Sequence, residues 1–150
     1  MLIEEISAAQ EIKAMNKKQL LEFIPLVVFL LSGIGILFKA PYCTWIATGS
    51  ASLLAIVYSN GSNWLFAGFG ISKMQTKIAG YAFAANMVGC MFCLLRWPGA
   101  QFYCIASYVG LALVAGISLY NYRVSAYKQL LYRSFLFIVI LSMIFGYRSS

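Results

Sequence analysis

The sequence predicts an all-α integral membrane protein, a bundle of four to five transmembrane helices built from repeated helical hairpins, with an N-terminal amphipathic helix. Of its 150 residues, 62% are hydrophobic and only 10% are charged, and the mean hydropathy is +0.82. Soluble domains carry about 25% charged residues, so this composition cannot supply a water-exposed surface. Five apolar segments have lengths within the ~17–25 residues that a helix needs to cross a bilayer: 20–38, 42–58, 78–95, 102–120 and 130–146.

The segments outside these spans complete the predicted organisation. Residues 1–19 mix apolar and charged side chains, which predicts a cytoplasmic amphipathic segment ahead of a single transmembrane domain over 20–150. The run 59–63, Ser-Asn-Gly-Ser-Asn, predicts a turn that ends the second span. Residues 64–71 are apolar but too few to cross, and we expect them at the interface with Trp64 at headgroup depth.

The fifth span has an alternative, a total of four spans with a peripheral last segment. Arg133 falls in the first turn of residues 130–146, where a charge opposes insertion. If this segment crosses, we expect the Arg133 side chain to extend toward the cytoplasmic surface.

The cations predict the orientation of the bundle. With five spans, eight Lys and Arg residues lie on the side of the N-terminus and three, Lys39, Arg96 and Arg148, lie on the other side. An excess of cations marks cytoplasmic segments. The N-terminus is therefore expected in the cytoplasm and the C-terminus outside, and the expected location is a bacterial inner membrane.

The missing residue types exclude several function classes. The net charge is +7, but the cations are scattered between apolar runs and form no basic face, so we expect no nucleic-acid partner. The chain has no His and no Asp, and its four acids are Glu4, Glu5, Glu11 and Glu22. A His-containing metal site, a Ser-His-Asp triad and a carboxylate proton relay within the membrane are thus excluded, and we expect no metal and no cofactor.

An internal repeat is predicted at an offset of 57 residues. This offset places Lys39 on Arg96, Pro41 on Pro98 and the run 54–57 on 111–114. An offset of 110 places residues 18–21 on 128–131, as if a third hairpin began there. Chance similarity among apolar helices is the alternative explanation, since such helices share a small alphabet.

The turn after the third span resembles a known one. The sequence 92–100, which includes Arg96, Trp97 and Pro98, is similar to the cation–X–X–Trp-Pro-Gly turn in the membrane hairpin of the stator subunit of Bacteroidetes gliding motility and type IX secretion. Residues 38–41 resemble a degenerate copy. In that family, a Glu in the second helix serves a proton-driven motor. The second and fourth spans here contain no acid, so the resemblance implies a scaffold or interaction role without the motor chemistry.

Four cysteines lie toward the outer side of the five-span arrangement: Cys43, Cys90, Cys93 and Cys104. The Cys-Met-Phe-Cys run resembles that of quinone-linked membrane thiol oxidases, which implies a redox alternative with quinone as cofactor and these cysteines as catalytic groups. The other interpretations are plain packing of small apolar residues, which we favour, and one structural disulfide.

Polar and small residues within the spans predict helix contacts or a pore lining. Asn86 lies at mid-depth and needs a hydrogen-bond partner from a neighbouring helix. The candidates are Ser32, Thr48, Ser52 and Ser107, and we expect Tyr108 to bond Asn86 or Ser32. Small residues spaced four apart, among them Gly89, Gly110, Ala112 and Gly116, predict close helix approach.

These observations lead to three hypotheses for function. The first is a non-enzymatic membrane subunit, a scaffold or pore component that contacts the lipid bilayer and either its own copies or other membrane subunits. The second is the membrane thiol oxidoreductase, and the third is a small transporter or channel.

Overall fold

The computed structural model describes residues 20, 22–36, 38–66 and 71–149, of which the side chains of 125, 126 and 147–149 are not described. The predicted N-terminal amphipathic segment lies outside this part. The described chain forms five α-helices: α1 (Glu22–Ile36), α2 (Cys43–Leu65), α3 (Lys73–Leu94), α4 (Ala100–Tyr120) and α5 (Ser125–Ser149). The prediction of an all-α fold is confirmed.

Helix α3 is the centre of the bundle. It packs against α2, α4 and α5. Within the most apolar stretch of 18 residues in α3, half is buried. The buried share of the corresponding stretch is 28% in α4 and 22% in α5. The core around it contains Leu54 and Tyr58 of α2, Phe83 and Met87 of α3, and Leu111 of α4, all without exposure.

Three helical segments are long and apolar enough to cross a membrane by length and composition: Lys73–Leu94, Ala100–Tyr120 and Tyr127–Gly146. The described part of α1 is apolar but shorter. Helix α2 is long enough at 23 residues, but Ser, Thr and Asn side chains along it dilute its apolar character. Of the predicted four to five spans, length and hydropathy thus support three.

Helix α2 does not end where the sequence predicts. The predicted turn at 59–63 is wrong, because these residues continue the helix to Leu65. The reason is tertiary: Ser62 is buried against α3, and the Asn63 Oδ1 accepts a hydrogen bond of 3.1 Å from the Thr76 hydroxyl of α3. Contacts with α3 thereby hold a locally turn-prone segment in the helix.

Two other helix starts differ from the predicted boundaries. Helix α3 begins at Lys73, five residues before the predicted span, because the Ser72 hydroxyl accepts a hydrogen bond from the backbone N–H of Gln75 and caps it. Helix α5 begins at Ser125, so Arg133 lies in its third turn and not its first. Tyr127 in the first turn of α5 is buried and donates a hydrogen bond to the Gln75 side chain of α3.

The two turns that follow α1 and α3 have the same backbone hydrogen bonds. In the first turn, the backbone N–H groups of Lys39 and Ala40 donate to the carbonyls three and five residues back, respectively. In the second turn, those of Arg96 and Trp97 do the same. Both cations have left-handed backbone, with φ of 55° and 54°. This is the Schellman arrangement that ends a helix, and the prolines Pro41 and Pro98 follow it.

The exterior of the bundle is apolar, unlike that of a soluble protein. Large apolar side chains such as Leu31, Ile56, Phe102 and Phe135 are more than 60% exposed. Buried positions combine large apolar residues such as Phe83 with small or polar ones, among them Ala47, Ala51, Ala79, Ser107, Ser118 and Ser134. A continuous apolar exterior of this size marks a surface that meets lipid or protein.

Candidate functional site

A buried ion pair joins the first helix to the last. Glu22 opens α1 and is 7% exposed, and its Oε2 lies 3.0 Å from the Nη1 of Arg133 in α5. The N–H bonds of this nitrogen do not point along the line to the oxygen, so the contact is chiefly one of charge. The second carboxylate oxygen of Glu22 accepts a hydrogen bond from the Tyr58 hydroxyl of α2.

Aromatic rings surround this ion pair on the side of the core. The Arg133 guanidinium lies 5.4 Å from the centre of the Phe66 ring, close enough for a cation–π contact. The rings of Tyr58, Phe83 and Phe137 have centres 5.2–6.1 Å apart and bring together α2, α3 and α5. Because these rings exclude water, the attraction between the two charges is stronger than on a protein surface.

The ion pair bears on the predictions for both of its residues. Arg133 contacts Glu22 while its side chain stays 22% exposed, and its extension toward the cytoplasmic surface stays a prediction. A carboxylate does lie inside the bundle, since Glu22 of the first predicted span is 7% exposed. Glu22 and Arg133 are the charged residues within the first and fifth apolar segments, and that shared position is the signal by which they could have been paired.

The arrangement has little scope for catalysis. The carboxylate is already neutralised by Arg133 and bonded by Tyr58, of which Tyr58 is fully buried and Arg133 is 22% exposed as a side chain. Among the described residues, no group of three Cys or Glu side chains could hold a metal ion. What the cluster can do is hold α1 against α2 and α5.

Asn86 is fully buried on α3, but the structure brings none of the predicted hydroxyls to it. Its Nδ2 has no hydrogen-bond partner among the described residues, and its Oδ1 has only a weak contact of 4.0 Å with the Cys90 sulfur. Ser32 and Thr48 bond carbonyls of their own helices, and Ser52 is exposed. The predicted partnership of Tyr108 is wrong, because its hydroxyl bonds Ser142 of α5 at 2.8 Å.

We expect Asn86→Leu to raise the free energy of unfolding by about 1 kcal/mol, because a buried donor without a partner costs roughly 1–3 kcal/mol. Unfolding of the detergent-solubilised protein by SDS titration, followed by tryptophan fluorescence, would measure the change. Ser52→Leu on the exposed face of α2 is the matched control and should change little. A clear destabilisation by Asn86→Leu would show that the amide has a partner.

Close helix approaches lie where several small residues were predicted to make contacts. Ser107 of α4 donates a hydrogen bond of 3.0 Å to the Ala85 carbonyl of α3, and Gly89 lies directly against Ser107. A side chain on Gly110 would come within 3.3 Å of the Ala82 methyl group of α3. Gly116 differs, since it is exposed and a Cβ built on it would meet no atom of another described helix within 4 Å.

The cysteines gather at the end of the bundle near the two Schellman turns. Cys93 of α3 and Cys104 of α4 form a disulfide whose Cα atoms are 7.5 Å apart, and both are at most 2% exposed. Cys90 is a buried free thiol and Cys43 a half-buried one. The pair within one helix, Cys90 and Cys93, is therefore not the bonded pair.

The chain was compared with known protein families, curated proteins and solved structures, and none of them matches it.

Proposed function

We propose that the protein is an integral membrane subunit without enzymatic activity, which acts as a scaffold in a membrane complex. The observation that carries the proposal is the apolar exterior, on which large side chains such as Leu31, Phe102 and Phe135 are more than 60% exposed. Lipid solvates such an exterior, and close packing with hydrogen bonds such as that from Ser107 to the Ala85 carbonyl holds the helices together.

In this proposal all five helices cross the membrane. The N-terminus lies in the cytoplasm and the C-terminus outside, because eight cations fall on one side and three on the other. The paired charges of Glu22 and Arg133 support the crossing of α1 and α5, since together they add no net charge to the interior. A bacterial inner membrane is the proposed location.

The matching turns support the proposed repeat of two hairpins, α1–α2 and α3–α4. Lys39 and Arg96 have the same backbone conformation and the same hydrogen bonds at the offset of 57. The repeat also bears on the resemblance to the motility stator. The acid in this bundle is Glu22, at the start of the first helix of a hairpin and neutralised by an arginine, so a scaffold role is favoured over a proton-driven one.

A scaffold is favoured over a pore within one chain because side chains fill the centre of the described bundle. Phe83, Asn86, Met87 and Leu111 are all without exposure. The exposed apolar faces of α4 and α5 are then available to other copies or to other membrane subunits. Phe102, Ile105, Val109 and Leu113 form such a face on α4.

Membrane extraction followed by native mass spectrometry tests this proposal. The protein should stay in the membrane pellet after an alkaline carbonate wash, enter solution with a mild detergent, and appear in the spectrometer bound to further copies or to other subunits. Release by carbonate would overturn membrane integration. A detergent-extracted chain that is always a lone monomer, also after crosslinking in intact membranes, would overturn the role as a subunit.

The cluster of Cys90, Cys93 and Cys104 favours the membrane thiol oxidoreductase as a second candidate. A disulfide beside a third cysteine is the grouping that thiol–disulfide exchange requires. Burial opposes this role, because a substrate thiol or a quinone needs access to the reacting sulfur.

Alkylation of the folded, unreduced protein distinguishes the two candidates. We expect Cys43 to react slowly, Cys90 to react only after unfolding, and Cys93 and Cys104 to react only after unfolding and reduction, because burial excludes the reagent. Mass spectrometry of peptides would assign the sites, with Cys43 as the internal control. Rapid reduction of the Cys93–Cys104 bond in the folded protein would favour the oxidoreductase.

A further inference from the structure

An open apolar crevice of about 350 Å³ lies between α1, the end of α3, and α5. It lies farther along α1 than the ion pair, toward the turn that holds Lys39. Its lining, within the part of the chain that the structure describes, contains no charged or polar side chain. The residues that carry the argument are Phe29, Gly33 and Ile34 of α1, Leu94 of α3, and Ile140 and Met143 of α5.

Two cations follow the crevice at its outer end. Arg96 comes two residues after Leu94 in the turn that ends α3, and Lys39 comes five residues after Ile34 in the turn that ends α1. Both side chains are exposed. Every acidic side chain of the protein lies at or before Glu22, and Glu22 is already paired with Arg133. Among the described residues no further carboxylate is available to these cations, so they can bind an anion from another molecule.

Both cations occupy the same backbone position in equivalent turns. Each lies in the left-handed position that ends a helix, with φ of 55° at Lys39 and 54° at Arg96. Glycine is the residue that this position favours. Tyr42, with φ of 67°, is a third described residue other than glycine with positive φ, so the cations are linked by their shared turn geometry and not by strain alone.

We propose that this crevice binds one acyl chain of an anionic phospholipid from the outer leaflet, whose phosphate is bound by Lys39 and Arg96. The proposal rests on the proposed membrane location. A lipid fits better than a partner helix because two exposed cations follow the apolar lining, and a phosphate matches these charges whereas an apolar helix face does not. The apolar lining and the two cations match the two parts of a lipid.

Two kinds of variant separate the tail contact from the phosphate contact. Gly33→Phe fills the crevice, since the nearest atom to a Cβ at Gly33 is a Leu94 methyl group at 3.7 Å. The double variant Lys39→Gly with Arg96→Gly removes both charges and relieves the left-handed strain, so it should fold at least as well. Gly49→Phe is the control, because among the described residues nothing lies within 4 Å of a Cβ on this exposed glycine of α2.

Native mass spectrometry from nanodiscs of equal parts phosphatidylglycerol and phosphatidylcholine is the test. The wild type and Gly49→Phe should retain one phosphatidylglycerol per chain. We expect the other two variants to retain at least fivefold less, with unchanged helicity by circular dichroism. Equal retention of both lipids, or full retention by the glycine double variant, would overturn the proposal. If Gly33→Phe instead converts a dimer into monomers, the crevice is an interface between copies and the proposal is wrong.

The lipid site and the membrane location on which it rests can be refuted separately. A protein that a carbonate wash releases from membranes would refute both. A protein that stays in the membrane, assembles into a complex and retains no anionic lipid would refute only the lipid site.

Discussion

Replacement of Arg133 by methionine is expected to lower the free energy of unfolding by about 3 kcal/mol, because removal of one partner leaves a buried charge uncompensated. The charge left behind is the Glu22 carboxylate, which is 10% exposed as a side chain and keeps, among the described residues, the Tyr58 hydroxyl as its partner. SDS titration of the purified protein would give the change. Arg123→Met in the exposed turn before α5 is the matched control and should change stability little.

The second arm of this experiment is a double-mutant cycle. Glu22→Gln alone should also destabilise, whereas Glu22→Gln together with Arg133→Met should recover most of the loss, because no charge is then left without a partner. A coupling near zero between the two sites would show that the ion pair does not form in the folded protein. A recovered double variant that still assembles would show that the pair serves stability and not the activity of the complex.

The substitution Gly80→Ala is expected to lower the free energy of unfolding by about 2 kcal/mol, because overpacking of a close-packed interface costs roughly 1–3 kcal/mol. A Cβ on Gly80 would overlap the Ser62 Cβ and the Tyr58 carbonyl oxygen of α2. One of these is a backbone atom, so α2 and α3 would have to move apart. Such a shift would also disturb the Tyr58 hydroxyl that bonds Glu22.

Gly49→Ala in α2 is the matched control for this prediction. Nothing lies within 4 Å of a Cβ at Gly49, so the substitution should stabilise the helix by about 0.5–1 kcal/mol. Both variants can be followed by the same SDS titration. If Gly80→Ala is as stable as Gly49→Ala, the close approach of α2 and α3 is wrong.

Local signals predicted the helices and the turns between them. The apolar segments lie within or close to the helices observed, and the cation–X–Pro runs at Lys39 and Arg96 mark two turns with the same hydrogen bonds. Such features are readable because hydropathy and helix termination depend on residues a few positions apart. The local signal failed at 59–63, where packing of α2 on α3 overrides the preference of Ser, Asn and Gly for a turn.

The partners within the candidate site could not be predicted in the same way. Asn86 was expected to bond a hydroxyl and has none, while Tyr108 bonds Ser142 at a distance of 34 residues along the chain. Cys93 pairs with Cys104 on the next helix, although Cys90 is nearer in sequence. These outcomes depend on how each helix is rotated about its axis, which no short stretch of residues specifies.

The amino-acid sequence by itself determined that this chain forms apolar helices joined by short turns, because composition and hydropathy decide which segments are unfavourable in water. Tertiary structure alone decided that Glu22 meets Arg133, more than a hundred residues away. A charge in an apolar segment must find an opposite charge or leave the interior. Which charge it finds depends on which helices become neighbours, and the packing of α1 and α5 around α3 decided that.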